Sequence, residues 1–151
     1  MNRQDAKDAK LGWEINRQDA RDAKIRMFVD EMAGVVVDAS IEVHRNLGPG
    51  FLESVYEDAL SHELKLRGIR FERQVPFNVR YKDAFVGNGF IDLLVEERLV
   101  VELKAVTALL PIHTAQAISY LKATKLSLAL LLNFNTRLMR DGIQRVALRV
   151  Q

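Results

Sequence analysis

Gly89-Phe90-Ile91-Asp92-Leu93-Leu94-Val95-Glu96-Glu97-Arg98-Leu99-Val100-Val101-Glu102-Leu103-Lys104 is the stretch whose reading decides the fold. Two apolar runs flank Glu96–Arg98, so it reads as two antiparallel strands joined by a short loop. Such a loop pairs Val95 with Leu99 and sets Asp92 opposite Glu102. Side chains alternate along a strand, which puts Glu102 and Lys104 on one face about 7 Å apart. Cross-strand neighbours on one face lie about 5 Å apart at Cβ. Two carboxyls and an ammonium thereby converge amid Leu93, Val95, Val101 and Leu103, and charges so surrounded are costly unless paired or bound to metal. Carboxylates are hard ligands that suit Mg2+ or Mn2+, and such a cation would activate water for phosphodiester cleavage. Lys104 would then orient the water or offset developing charge. A structural ion pair of Lys104 with Glu102 or Asp92 fits the triplet at least as well.

Composition narrows the surroundings. With 151 residues, 48% apolar and 28% charged, the chain is long enough for one ordinary globular domain. There is no cysteine, which excludes disulfides, zinc–thiolate sites and thiol nucleophiles and fits a cytoplasmic protein. No apolar run approaches the roughly 20 residues of a membrane span, and no membrane partner is expected. The net charge of +2 comes from residues 1–26, with seven Lys/Arg against five Asp/Glu; the remainder balances at fifteen of each. Nucleic acid would therefore have to meet a local patch rather than a basic domain.

Working outward, the first segment is a duplication: Asn2–Lys10 reads NRQDAKDAK and Asn16–Lys24 reads NRQDARDAK. Neither copy has an apolar face, so residues 1–26 are expected to form an exposed extension, disordered or loosely helical. A domain of residues 27–151 follows. Helical spacing of Phe28, Met32, Val35, Val36, Ala39 and Val43 predicts a helix to Asn46, ended by Gly48-Pro49-Gly50. A second helix is expected over Phe51–Arg67 and a third over Ile112–Ala123. Strands are expected at Ile69–Val75, Phe77–Tyr81, Phe90–Val95, Leu99–Val106, Leu126–Phe134 and Ile143–Val150, with Pro76, Lys82-Asp83 and Gly87–Gly89 as breaks or turns. The order is that of helices packed on a mixed sheet, an α/β architecture.

Other residues join the hairpin by position. Glu53 and Tyr56 stand at i and i+3 at the start of the second helix. Gln116 and Tyr120 stand at i and i+4 on the third, with His113 on the same stripe. Singly, each has an ordinary reading, as a first-turn charge or a core aromatic. His44, His62 and His113 form no H-E-x-x-H pair, and His44 is explained by helix-end capping as well as by any site. Phosphate-binding P-loop and G-x-S-x-G motifs are lacking.

Together, His44-Arg-Asn-Leu-Gly-Pro-Gly-Phe-Leu-Glu53-Ser-Val-Tyr56-Glu, Asp92…Val101-Glu-Leu-Lys104-Ala-Val, Gln116-x-x-x-Tyr120-Leu-Lys and Leu132-Asn-Phe134 resemble the bacterial GxxExxY protein family. That family is similar to a small branch of the PD-(D/E)XK nuclease superfamily. The resemblance spans about Met27 to Val150 and implies a PD-(D/E)XK restriction-endonuclease-like core, a mixed β-sheet flanked by helices. It implies Asp92, Glu102 and the accessory Glu53 as metal ligands, and Lys104 as the water-activating or charge-stabilising group. Gln116 and Tyr120 would lie beside them. Ala129 stands where the pattern leads one to expect glycine, a packing change. The expected activity is Mg2+- or Mn2+-dependent cleavage of nucleic acid, DNA ahead of RNA, with a homodimer as one way to cover a duplex. The alternatives are a non-catalytic binding module of a defence or repair assembly, or a purely structural protein.

Overall fold

The computed structural model describes residues 2–148, apart from the side chains of Trp13 and Ile15. The elements run α1 (Arg3–Leu47), α2 (Glu53–Leu66), β1 (Phe71–Tyr81), β2 (Ala84–Val95), β3 (Leu99–Lys104), α3 (Pro111–Thr124), β4 (Leu128–Asn133), a 3-10 turn (Met139–Gly142) and β5 (Ile143–Ala147). Contacts divide the chain into two units that meet at residues 31 and 32. In the first unit the two repeat copies are helical and carry equivalent hydrogen bonds, Gln4 to Asp8 at 2.9 Å and Gln18 to Asp22 at 3.0 Å. Asn2 accepts the Asp5 amide at 2.8 Å.

The second unit holds a five-stranded sheet in the order β1-β2-β3-β4-β5. Only β3 and β4 are parallel, and parallel neighbours need a crossover, which α3 provides. β4 is buried at every position from Leu128 to Asn133, as expected of a strand covered on both faces. On the α3 side the core joins Ile91, Val100, Ala117, Leu121, Ala129, Leu131 and Val146. Ala129 is fully buried there, so a small side chain at that position lets the sheet and helix approach. Among the described residues, no helix is long and apolar enough to cross a membrane.

Several expectations are revised. Pro76 does not divide two strands; it lies inside β1 opposite Phe90. β1 is an edge strand, where a missing N–H need not break the ladder. The Gly87–Gly89 segment is not a turn but part of β2, and the chain reverses at Lys82-Asp83, with Lys82 at φ +52°. Val86 is left unpaired where the register shifts, a β-bulge near the hairpin tip. β5 ends at Ala147, and the expected extension to Arg149 and Val150 lies outside the described residues. The β2–β3 connection has Glu96 and Glu97 both at positive φ, the turn that fits strand twist but usually takes Asn-Gly. Arg70 steadies it by an ion pair with Glu96 at 3.0 Å, and its carbonyl accepts the Glu96 amide.

Candidate active site

The hairpin register is that of a three-residue connection: Val95 opposite Leu99, Leu94 opposite Val100 and Leu93 opposite Val101. Ladder pairing stops there, one step short of Asp92 and Glu102. Side chains take over the backbone's bonds. The Asp92 amide donates to Glu102 Oε1 at 3.1 Å, and the Leu103 amide donates to Asp92 Oδ2 at 2.9 Å. Each carboxylate thus crosses to the other strand, and the strands open around them. Buried amides need partners, so the two acids hold the gap that they occupy.

A change of strand phase accompanies this gap. Leu94, opposite Val100, packs on the α3-side cluster, and so does Ile91. In an unbroken strand, positions three apart face opposite ways. The partner strand changes phase at the same level, where Gln74 has φ +51°, a conformation costing a non-glycine residue of order 1–3 kcal/mol. Its effect is visible in the contacts. Neighbouring Arg73 and Gln74 both reach α2: Arg73 bonds Glu57 at 2.7 Å and also Asp58, while Gln74 donates to Glu57 Oε1 at 2.7 Å. Gln74 also lies 3.3 Å from Asp92 Oδ1. Glu57 and Gln74 therefore belong to the site's border, although the sequence offered no signal for either beyond Glu57 lying one turn after Glu53.

Lys104 approaches from the next position on its face. Its ammonium donates to Gln116 Oε1 at 3.2 Å, and Gln116 Nε2 donates to the Tyr120 hydroxyl at 3.2 Å. Tyr120 is in edge contact with Phe77, ring centroids 4.7 Å apart. Phe77 in turn covers Gly89, where any Cβ would run into its ring. A relay of contacts thus runs from a bare backbone position in β2 to the lysine. His113, expected on the same stripe, turns back instead: its Nδ1 accepts the Leu110 amide at 2.9 Å at the start of α3.

Tyr56 serves the scaffold. It is fully buried and stacked on Phe134, centroids 4.6 Å apart. Its hydroxyl donates to the Gly48 carbonyl at 2.6 Å and accepts the Phe51 amide at 3.1 Å, fixing the turn that leads to Glu53. Asn133, also buried, accepts the Val106 and Asn135 amides and donates to the Val106 carbonyl at 2.9 Å. That clamps the segment after Lys104, whose carbonyl accepts the Phe134 amide. His44 does not cap its own helix but lies 2.8 Å from the Thr136 carbonyl, tying α1 to the β4–β5 connection.

The electrostatics mark the acids as a coupled set. Burial, then the neighbouring Asp92, pushes Glu102 up from 4.5 to about 8. Glu53 is also raised, by burial and then by Asp92, with Lys104 acting in the opposite sense. Tyr120 is raised by burial and by the charge of Glu102. Asp92, Glu102, Glu53, Lys104 and Tyr120 consequently share one field, with Gln116 hydrogen-bonded inside it.

The profile of the PD-(D/E)XK nuclease superfamily matches residues 30–146. The chain belongs to that superfamily. The mixed five-stranded sheet with flanking helices agrees with a PD-(D/E)XK nuclease fold. No curated protein and no solved structure gives a significant match. Divalent metal is the implied cofactor of such a domain. Among the described residues, no three Asp, Glu or His side chains close into a ready-made cage. The PD-(D/E)XK domain instead offers the facing oxygen donors of Asp92 and Glu102. That donor set fits Mg2+ or Mn2+, which fill a coordination sphere with water and phosphate oxygens around one or two carboxylates.

Proposed function

We propose that this domain is a nuclease of the GxxExxY type that uses Mg2+ or Mn2+ to hydrolyse phosphodiester bonds in the cytoplasm, with DNA the favoured substrate. The observation that carries the reading is the mutually tied pair of half-buried Asp92 and buried Glu102 beside a lysine bonded to Gln116. In this reading Asp92 and Glu102 hold the cation and Glu53 is an outer carboxylate. A divalent ion bound there acidifies water and offsets charge on the phosphate. The water oxygen bonds to phosphorus as the bond to the leaving oxygen breaks, giving a phosphate monoester and a hydroxyl. Lys104, a donor without acceptor capacity, offsets charge on the phosphate oxygens. Gln116 and Tyr120 limit where its ammonium can go.

One observation favours a second reading, a non-catalytic binding module: the lack of a closed carboxylate cage among the described residues. Calorimetric titration with Mn2+ and Mg2+ separates the two. Binding that disappears in Asp92→Ala supports the nuclease. No heat at millimolar Mg2+, together with retained nucleic-acid binding, supports the module.

A further inference from the structure

A cavity of about 540 Å3 lies between the end of α1 and the connection from β4 to β5, lined by His44, Arg45, Pro49, Arg137 and Arg140 among others. We infer that it is a phosphate-binding site for the nucleic-acid strand, built on the scaffold that also carries Glu53. The identity of the ligand rests on the nuclease reading; the site itself rests on the following geometry.

The connection that displays the arginines is pinned at several points. Its Thr136 carbonyl meets His44 Nε2 at 2.8 Å, and its Thr136 hydroxyl donates to the Leu138 carbonyl at 2.8 Å. Met139 is buried. Gly142 passes so close to the Asn133 carbonyl that no Cβ could be accommodated. Ordering this loop is therefore completed on folding, and a ligand need not bear that cost. On the opposite wall, the Tyr56 hydroxyl fixes Gly48 and Phe51.

The charges in this frame are uneven. Glu42 is engaged with Arg45 at 2.7 Å and with Asn46. Arg137 and Arg140 are exposed, and among the described residues neither guanidinium has a hydrogen bond or ion pair. Asp141 is the nearest carboxylate in sequence and does not line the cavity. Two free planar donors over a preformed concavity suit a phosphate, which guanidinium binds in bidentate fashion. The wall residue Gly48 is five residues from Glu53, a reach of at most ~17 Å. A strand whose scissile phosphate lay at Asp92 and Lys104 would set a phosphate a few nucleotides away over the arginines.

The test measures binding of fluorescein-labelled single-stranded and duplex oligonucleotides by the full chain in EDTA, from 50 to 200 mM salt. For Arg137→Gln/Arg140→Gln, affinity should fall about tenfold or more. The slope of log K against log salt should become shallower by about 1.4 on single strands or 1.8 on duplex, two phosphate contacts. Lys65→Gln/Lys82→Gln makes the same charge change at exposed positions elsewhere and should leave both unchanged. Equal weakening by both double variants, an unaltered Arg137/Arg140 variant, or no binding by the unmodified chain would each overturn the inference. Equal losses on oligonucleotides with and without a 5′-phosphate identify a backbone phosphate, and a loss confined to the phosphorylated one identifies a strand end. Cleavage is scored separately in Mn2+: binding lost in the variant with no cleavage by the unmodified chain would sink the nuclease reading and leave the phosphate site standing.

Discussion

Glu102→Gln should make the metal-free domain more stable at alkaline pH and nearly unchanged at acid pH. The side chain is 5% exposed and accepts the Asp92 amide through Oε1; glutamine keeps that acceptor and can donate to the Asp92 carboxylate. In the parent chain Glu102 rises from 4.5 to about 8 on folding, through burial and then the repulsion of Asp92. Below pH 4.5 it is protonated in both states, and its contribution to stability is whole. Between 4.5 and about 8 the folded chain holds a proton that the unfolded chain has released, so stability falls as pH rises. At ~1.4 kcal/mol per pH unit, the loss across that window is roughly 3–5 kcal/mol. Urea unfolding in EDTA at several pH values between 5 and 9, on parent and variant, reads this effect, because titrations remote from Glu102 cancel in the difference. The curves should converge near pH 5 and separate by several kcal/mol near pH 9. Adding Mn2+ at pH 8 should restore the parent far more than the variant, since a cation replaces the proton between two carboxylates. Parallel curves from pH 5 to 9 would refute the buried, repelled carboxylate and with it the reason for a cation there.

Three further outcomes follow from the scaffold. Tyr56→Phe removes the hydroxyl that serves Gly48 and Phe51 and should cost ~1–3 kcal/mol, read by urea unfolding. Asn133→Ala takes the acceptor from the Val106 and Asn135 amides and leaves the Val106 carbonyl only its 3.4 Å bond from the Asn135 side chain; a loss of about 3 kcal/mol is expected, with faster hydrogen exchange after Lys104. Gly89→Ala forces the Phe77 ring away and with it Tyr120. Cleavage should fall roughly 10–100-fold while oligonucleotide affinity in EDTA holds.

The β2–β3 hairpin was legible because two apolar runs and a charged spacer admit one economical register, and Val95 does face Leu99. Regular alternation also put Asp92 and Glu102 together. It could not foresee that the ladder stops before them, or that the strands change phase at Gln74, since a glutamine at positive φ has no sequence signature. Gln74 is hidden for that reason, and Glu57 is marked only by lying one turn after Glu53. Pro76 and Gly87–Gly89 misled because their meaning depends on position: proline is tolerated at an edge, and Gly89 clears space for an aromatic ring. Arg137 and Arg140 look like ordinary surface charges until His44 and Gly142 are seen to pin the loop beneath them.

Cleavage of a defined DNA and RNA panel by the parent chain and by Lys104→Ala, with Mg2+, Mn2+ or EDTA, tests the central assignment most directly. Lys104 is partly exposed and, among the described residues, its ammonium hydrogen-bonds Gln116 alone, so the alanine variant should fold and still bind oligonucleotide in EDTA. Metal-dependent cleavage by the parent, abolished in EDTA and reduced to background in Lys104→Ala, is the predicted result. Cleavage at equal rates by parent and variant, or persisting in EDTA, would contradict it.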